Sequence, residues 1–539
     1  MSDEPTQQSV QEAGLFADPP KTPEWNEIRL DGNTLRLEDI LPLLQGSPVV
    51  ITESAYTVVG NSRRLLEDAM REKIIYGVNT GFGPMASHII HYEEMVNLQR
   101  NLIRSHAVGM GEPVSSSFVL AAMLVRLNTL VKGPSGVSRE LLEQLLAFIN
   151  KRIIPVIPEH GAVGTSGDLV QLAHIGLALI GEGEVIYEGR RRRARDVLEE
   201  VSLTPYSLKP KEGLSLINGT SFMTGIAAVL SLEAERLLDI SLRWGGAALE
   251  ITQAFDDYIS KRLHQLRPHE GQRWVAKRLR VLLESSKRMR QRDMLPSVAN
   301  QDESVHKIDE EVQSVYSLRC IPQIVGPVAE AIFRTRKIVE TEMNSATDNP
   351  LVDMENGQIL HGGNFHGESI AATVDELKAR LVKLIMLSER RINFFLHRGI
   401  NKKFPPFINL RQPGLTLGLQ GLQFVATSTA AHSQSLAFPH SVHSIPTNAD
   451  NQDIVSMGAD ASLMLAKVIE NAYIVFAIEG IVLSQAVEAE RIMDDLSLPV
   501  QTAMKRIQGI FPPVYDDRDM SGELPRLVEL LKAEDWDAK

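Results

Sequence analysis

Residues 453–492 read DIVSMGADASLMLAKVIENAYIVFAIEGIVLSQAVEAERI, about forty positions with apolar residues at helical spacing and no proline. That period predicts one helix, which at 1.5 Å per residue would reach ~60 Å. A helix of that length needs neighbours of comparable length along its sides. Residues 219–257, 365–397 and 413–435 carry the same periodicity with few breakers and can supply them. The expected fold class is therefore mainly α. A long-helix bundle core spans 213–510, and a smaller mixed α/β N-terminal region spans 28–212. In that region short β-rich runs, 48–52 and 185–187, alternate with helices. Residues 1–27 are polar and without period, which predicts a disordered extension, and 511–539 form a C-terminal helical tail. The charged stretch 285–312 is expected to be a surface excursion.

Composition narrows the function classes. With 539 residues, 43% of them hydrophobic, the chain can bury a large core. A net charge of −12 and a pI near 5.7 argue against nucleic acid or an anionic membrane as partner. The basic run Arg190 to Arg193 is local and reads as a solvated turn. One cysteine, Cys320, rules out an intrachain disulfide framework and fits a cytoplasmic setting. Neither a secretory signal nor an uninterrupted apolar run of about 18 residues is seen, so no membrane association is expected.

Chemistry concentrates at Gly164-Thr165-Ser166-Gly167-Asp168-Leu169, where three glycines (with Gly161) surround a serine just before an apolar run. Gly167 has no Cβ, so its amide nitrogen can approach the Thr165 carbonyl two residues back. If it attacks and water is lost, including the Ser166 hydroxyl, the backbone becomes an electrophilic ring, a reactivity otherwise taken from a cofactor. Taken alone, the tripeptide reads first as a loop capping a helix through Ser166 or Asp168. A second glycine-rich stretch, Tyr76 to Gly83, could cradle a phosphate. It lacks the Lys-Ser/Thr pair and the strand–Gly-x-Gly-x-x-Gly–helix context, so no nucleotide is expected.

Several dispersed motifs occur in order with the tripeptide: Tyr76-Gly77-Val78-Asn79-Thr80-Gly81-Phe82-Gly83, Leu216-Ile217-Asn218-Gly219-Thr220-Ser221, Tyr316-Ser317-Leu318-Arg319, Asn344 to Pro350 and Gly363-Asn364-Phe365-His366-Gly367. With them the chain resembles the aromatic amino acid ammonia-lyase and 2,3-aminomutase family over roughly residues 28 to 510. The resemblance implies a 4-methylideneimidazol-5-one (MIO) prosthetic group, formed autocatalytically here from Thr165-Ser166-Gly167, where the family usually has Ala-Ser-Gly. Closure uses the Thr165 carbonyl, so the ring is expected despite that departure; no metal is expected. The resemblance assigns the catalytic base to Tyr76, a phenol that its surroundings must activate. It makes Gly83, Gln313, Tyr316 and Arg319 substrate-binding residues, the last three often from a neighbouring subunit. Arg319 is the natural carboxylate clamp, and offsets of three and six would put Tyr316 and Gln313 on its face of one helix. Asn218 matches the position that hydrogen-bonds the ring, Asn349 the one that meets the substrate carboxylate, and Phe365 a residue flanking the ring. The resemblance further implies a homotetramer with shared sites, acting on a small aromatic amino acid.

Substrate choice rests on two places. Ser105-His106 lies in the stretch that contacts the substrate ring in this family, and His106 can hydrogen-bond a phenol or an imidazole. Histidine ammonia-lyases also carry Ser-His here. They usually have Glu where this chain has Gln452, and His where it has Ile454. A carboxylate suits an imidazole that can carry charge, whereas neutral Gln452 suits a phenol or phenyl, so L-tyrosine going to 4-coumarate is the expected reaction. A 2,3-aminomutase giving a β-amino acid is the alternative on the same machinery, raised by Thr165, and histidine is a further one. A catalytically dead scaffold would be expected to lose Ser166, Tyr76 or Arg319, and all three are present. His432, His440 and His443 lack a carboxylate or Cys at zinc-site spacing and read as structural, as do His361 and His366. His432-Ser433 itself departs from the Glu-Asn usual in tyrosine and histidine enzymes.

Overall fold

The computed structural model describes residues 27–295, 305, 307–308 and 310–533. Its centre is the helix Gly458–Glu490, 33 residues long. It lies against the helices Glu368–Leu396, Ser221–Ile251 and Gln420–Ser435. Ser116–Val131 packs on Ser221–Ile251, and Ile321–Met343 closes the bundle against Glu368–Leu396. The molecule is mainly α, as its periodicity predicts. Gly458–Glu490 is long and apolar enough to cross a membrane by length and composition, but 67% of its apolar window is buried inside the protein. It is the core helix of the bundle.

Helix ends fall inside the expected ranges for local reasons. Met457 (φ 54°) and Arg491 (φ 57°) are left-handed at the two ends of the central helix, which trims 453–492 to 458–490. Gly414 (φ 97°) and Gly418 (φ 60°) hold 413–419 in a loop, so that helix begins at Gln420. The Ile321–Met343 helix was not singled out in the sequence. It carries Pro322 in its first turn, where proline is tolerated, and Pro327 in its body.

The N-terminal region is mixed, with strands that are short. Val49–Ile51 pairs in parallel with Ile28–Leu30. Glu184–Tyr187 pairs antiparallel with Ile154–Pro155 and with Arg190–Arg193. The basic run is thus a hairpin strand rather than a turn. The turn is Glu188-Gly189, both with positive φ (50° and 73°), as a two-residue hairpin requires. Arg191 pairs with Glu184 and Arg192 with Glu200, so the charge is largely answered locally. Residues 1–26, part of 285–312 and residues 534–539 lie outside the described residues, and with them most of the expected extension.

Candidate active site

The tripeptide sits where the first turn of the Ser221–Ile251 helix meets the loop before Leu169–Leu179. Gly167 (φ 71°) lies so close to Gly219 that a Cβ would stand 1.9 Å from the Gly219 carbonyl oxygen; only glycine fits. Two donors converge on the Ser166 carbonyl: Asn218 Nδ2 at 2.9 Å and the Gly219 N–H at 3.3 Å. Asn218 is fixed in turn by Arg126, fully buried, whose Nη2 donates to the Asn218 carbonyl at 2.7 Å and to that of Ser215. A glycine-only position beside a serine whose carbonyl faces two amide donors suits the MIO ring. Ser166 supplies that ring's carbonyl, and donors there draw electrons from its exocyclic carbon.

Asp168 is the ring-forming segment's anchor. Its Oδ2 accepts from the Met223 N–H at 2.8 Å, at the positive end of the Ser221–Ile251 helix. Complete burial nevertheless pushes its carboxyl up to about 7, against the lowering by the Met223 and Phe222 amides and Arg126. Its Oδ1 is buried without a partner among the described residues. An ordinary aspartate titrates near ~3.9, so the folded protein holds this proton where the unfolded chain has lost it. The stability it contributes is fully present below about pH 4 and is lost as pH rises through about 7. The thermal midpoint of wild type relative to Asp168→Asn should therefore fall between pH 4 and 7. Parallel curves would contradict this protonation.

The Tyr76 loop packs over the tripeptide. Gly77 (φ 65°) is required there, since a Cβ would meet Leu214 at 2.6 Å and Phe82 at 2.8 Å. Tyr76 Oη accepts the Gly83 N–H at 3.0 Å, and the rings of Tyr76 and Phe82 meet edge-on at 6.3 Å. Gln99 ties the loop down, donating to the Gly77 carbonyl and accepting from the Leu214 N–H. Facing it, Thr447 to Gln452 forms a tight loop in which Asn448, Ala449 and Asp450 are all left-handed (φ 55°, 53° and 60°). Asn448 presses so closely on Gly83 that a Cβ there would lie 2.6 Å away.

Between these loops lies a cavity of about 880 Å³, large enough for an amino acid. It is lined by Tyr76, Gly83, Ser105, His106, Thr165, Ser166, Gly167, Asn218, Asn349, Phe365 and Gln452 among the residues expected from sequence. His106 Nδ1 lies 2.9 Å from the Leu102 carbonyl and 3.1 Å from Ser105 Oγ. A proton on Nδ1 directed at that carbonyl leaves Nε2 as an acceptor. Asn349 Oδ1 accepts the Gly362 N–H at 2.8 Å, which leaves its NH₂ to donate. Gln452 touches the tripeptide itself: its Oε1 accepts from Thr165 Oγ1 at 2.7 Å, and its Nε2 donates to Ser166 Oγ at 2.8 Å. Sequence reasoning passed over Met85, Thr447 and Asn448, which also line the cavity, as does His361, which was read as structural. The Asn- and Asp-rich run at 448–451, residues that tolerate left-handed backbone, was the available signal.

Three expected site residues are not brought here. Gln313, Tyr316 and Arg319 lie outside the cavity wall. The helix carrying Arg319 is only Tyr316–Arg319: it sets Tyr316 on the same face as Arg319, as the offset of three predicts, but Gln313 precedes it and does not share that face. Tyr316 is 67% exposed, with the Arg319 guanidinium 4.6 Å over its ring. Among the described residues no Asp, Glu, Lys or Arg lines the cavity.

His361 accepts the Tyr76 N–H at 3.4 Å, and His366 Nε2 lies 3.3 Å from the Ile454 carbonyl. His432 is away from the cavity, bonded to Asn471 at 3.3 Å. His440 faces Asp460 at 3.5 Å, a carboxylate its sequence spacing does not suggest. Among the described residues no group of three or more His, Cys, Asp or Glu side chains is arranged to hold a metal.

Residues 35–508 match the family described as aromatic amino acid lyase. The chain is 40% identical to histidine ammonia-lyase of Bacillus subtilis (strain 168) over 509 residues, 94% of this chain and 97% of that one. The fold superposes on tyrosine aminomutase from Streptomyces globisporus with a TM-score of 0.91 at 34% identity, covering 94% and 96% of the two chains. On phenylalanine aminomutase of Pantoea agglomerans the TM-score is 0.90 at 31% identity, covering 94% and 99%. The chain belongs to the aromatic amino acid lyase family, the ammonia-lyases and aminomutases that build the MIO group from three of their own residues.

Proposed function

We propose that this protein eliminates ammonia from L-tyrosine to give 4-coumarate, with its MIO group formed from Thr165-Ser166-Gly167. The observation that carries the choice of substrate is the cavity wall. His106 offers an acceptor nitrogen, which a phenol O–H satisfies, and no carboxylate lines the cavity among the described residues. An imidazole substrate, able to carry charge, would gain from the Glu that Gln452 replaces. The 40% identity to a histidine ammonia-lyase favours histidine instead, and the likeness to tyrosine aminomutase favours a β-amino acid product. Both are outcomes of the substrate test that closes the Discussion.

The MIO ring would supply an electrophilic carbon that accepts the substrate amine, or else the substrate's aromatic ring, covalently. Tyr76 takes the β-hydrogen, its oxygen held by the Gly83 amide. Asn218 polarises the ring carbonyl, Phe365 shields the ring, Gln452 borders it, and Asn349 donates to the substrate carboxylate. Ser105 orders His106. The substrate carboxylate still lacks a cation, which supports a homotetramer in which Arg319, with Tyr316 and Gln313, enters from a neighbouring subunit. Phe438, Val442, Ile445 and Ile454 are exposed on the single chain, apolar area that such assembly would cover. Sedimentation should find the active species as a tetramer; an active monomer would contradict it.

His106→Phe tests the substrate reading. Losing a buried hydrogen bond to the phenol should cost about 1–3 kcal/mol, roughly 5- to 150-fold in kcat/KM for tyrosine. Phenylalanine turnover should rise as the wall becomes apolar. An unchanged tyrosine-to-phenylalanine preference would remove His106 from substrate selection.

A further inference from the structure

Ring closure leaves the Thr165 side chain untouched, yet that side chain is built into the site. Thr165 is 4% exposed, and its Oγ1 lies 2.7 Å from Gln452 Oε1. Thr447 Oγ1 meets the same oxygen at 2.9 Å, from the other side of the tight 447–452 loop. Gln452 Nε2 then falls 2.8 Å from Ser166 Oγ. Both threonine hydroxyls donate to Gln452 Oε1, the accepting end of the carboxamide. A carboxamide has two unlike ends, one accepting and one donating. With both hydroxyls donating to its oxygen, the Nε2 end of Gln452 faces Ser166. A glutamate would need no such arrangement, because both of its oxygens accept.

We propose that Thr165 is a positioning residue for formation of the prosthetic group: its hydroxyl holds Gln452 with Nε2 aimed at the oxygen that leaves Ser166. The chemistry balances without an oxidant. The Gly167 nitrogen bonds to the Thr165 carbonyl carbon. That carbonyl's oxygen departs as the first water, with one proton from the Gly167 amide and one from the Ser166 amide. The second water is the Ser166 hydroxyl together with the Ser166 Cα proton, as the Cβ–Oγ bond breaks and a Cα=Cβ double bond forms. Charge gathers on Oγ as that bond breaks, and the Gln452 N–H, keeping its proton, stabilises it. The departure from Ala at 165 and the presence of Gln at 452 are then two halves of one device. The inference rests on family membership and not on the choice of tyrosine, so failure of the substrate reading leaves it standing.

The test follows newly synthesised full-length protein by intact mass over time, reading the fraction of chains lighter by two waters. Thr165→Val keeps the shape and removes the hydroxyl; conversion should slow roughly fivefold, the worth of one hydrogen bond. Thr165→Ser should mature at the wild-type rate. In a Gln452→Glu background, Thr165→Val should slow conversion no further, because there is no unlike end to orient. Thr447→Val, which leaves the tripeptide untouched, should slow conversion as Thr165→Val does and serves if that variant does not fold. Wild-type maturation in Thr165→Val and Thr447→Val would overturn the proposal. So would equal slowing by Thr165→Val whether or not Gln452→Glu is present, which is what a merely structural role predicts.

Discussion

Ser166→Ala is expected to fold, to keep the full encoded mass, and to lose turnover by roughly a thousandfold or more, as removal of a covalent catalyst's reactive group does. The fold should survive because what holds the segment in place does not involve the Ser166 hydroxyl. Gly167 stays locked against Gly219, Asp168 remains bound to the Met223 amide, and the Asn218 and Gly219 donors meet the residue 166 carbonyl. Among the described residues the hydroxyl's one side-chain partner is Gln452 Nε2. Wild type should be lighter than its encoded chain by two waters and the variant by none. An active Ser166→Ala, or active wild-type enzyme at full mass, would sink the assignment of the ring to this tripeptide.

Tyr76→Phe should keep the two-water mass deficit and lose about 10²- to 10⁴-fold in kcat, the usual worth of a positioned base. The oxygen removed is the one held by the Gly83 N–H, while the ring's edge contact with Phe82 and the glycine-rich loop remain. KM should move much less than kcat, since the cavity wall keeps its shape. Equal losses in binding and turnover would reassign Tyr76 to substrate positioning.

The long helices were legible because burial imposes a period that survives in one sequence; Gly458–Glu490 is nearly the whole of the apolar run that predicted it. Its ends were not, because Met457 and Arg491 adopt left-handed backbone that neither residue advertises. In the site, Ser166, Tyr76 and Asn218 were legible through local motifs. The contact between Thr165 and Gln452 joins residues 287 apart and depends on how the loop after Thr447 folds back. Arg126, which anchors Asn218, sits in a helix so uniformly buried that its charge carried no positional signal. Gln313 was expected on the helical face of Arg319 and is not there, since the helix begins only at Tyr316 and four residues have too little period to read.

Incubating the enzyme separately with L-tyrosine, L-phenylalanine and L-histidine, and separating products by mass and chirality, tests the central claim most directly. The account predicts 4-coumarate and ammonia from tyrosine as the dominant reaction, with little from phenylalanine or histidine. Urocanate from histidine would contradict the reading of Gln452 and His106, and β-tyrosine as the main product would make the enzyme an aminomutase.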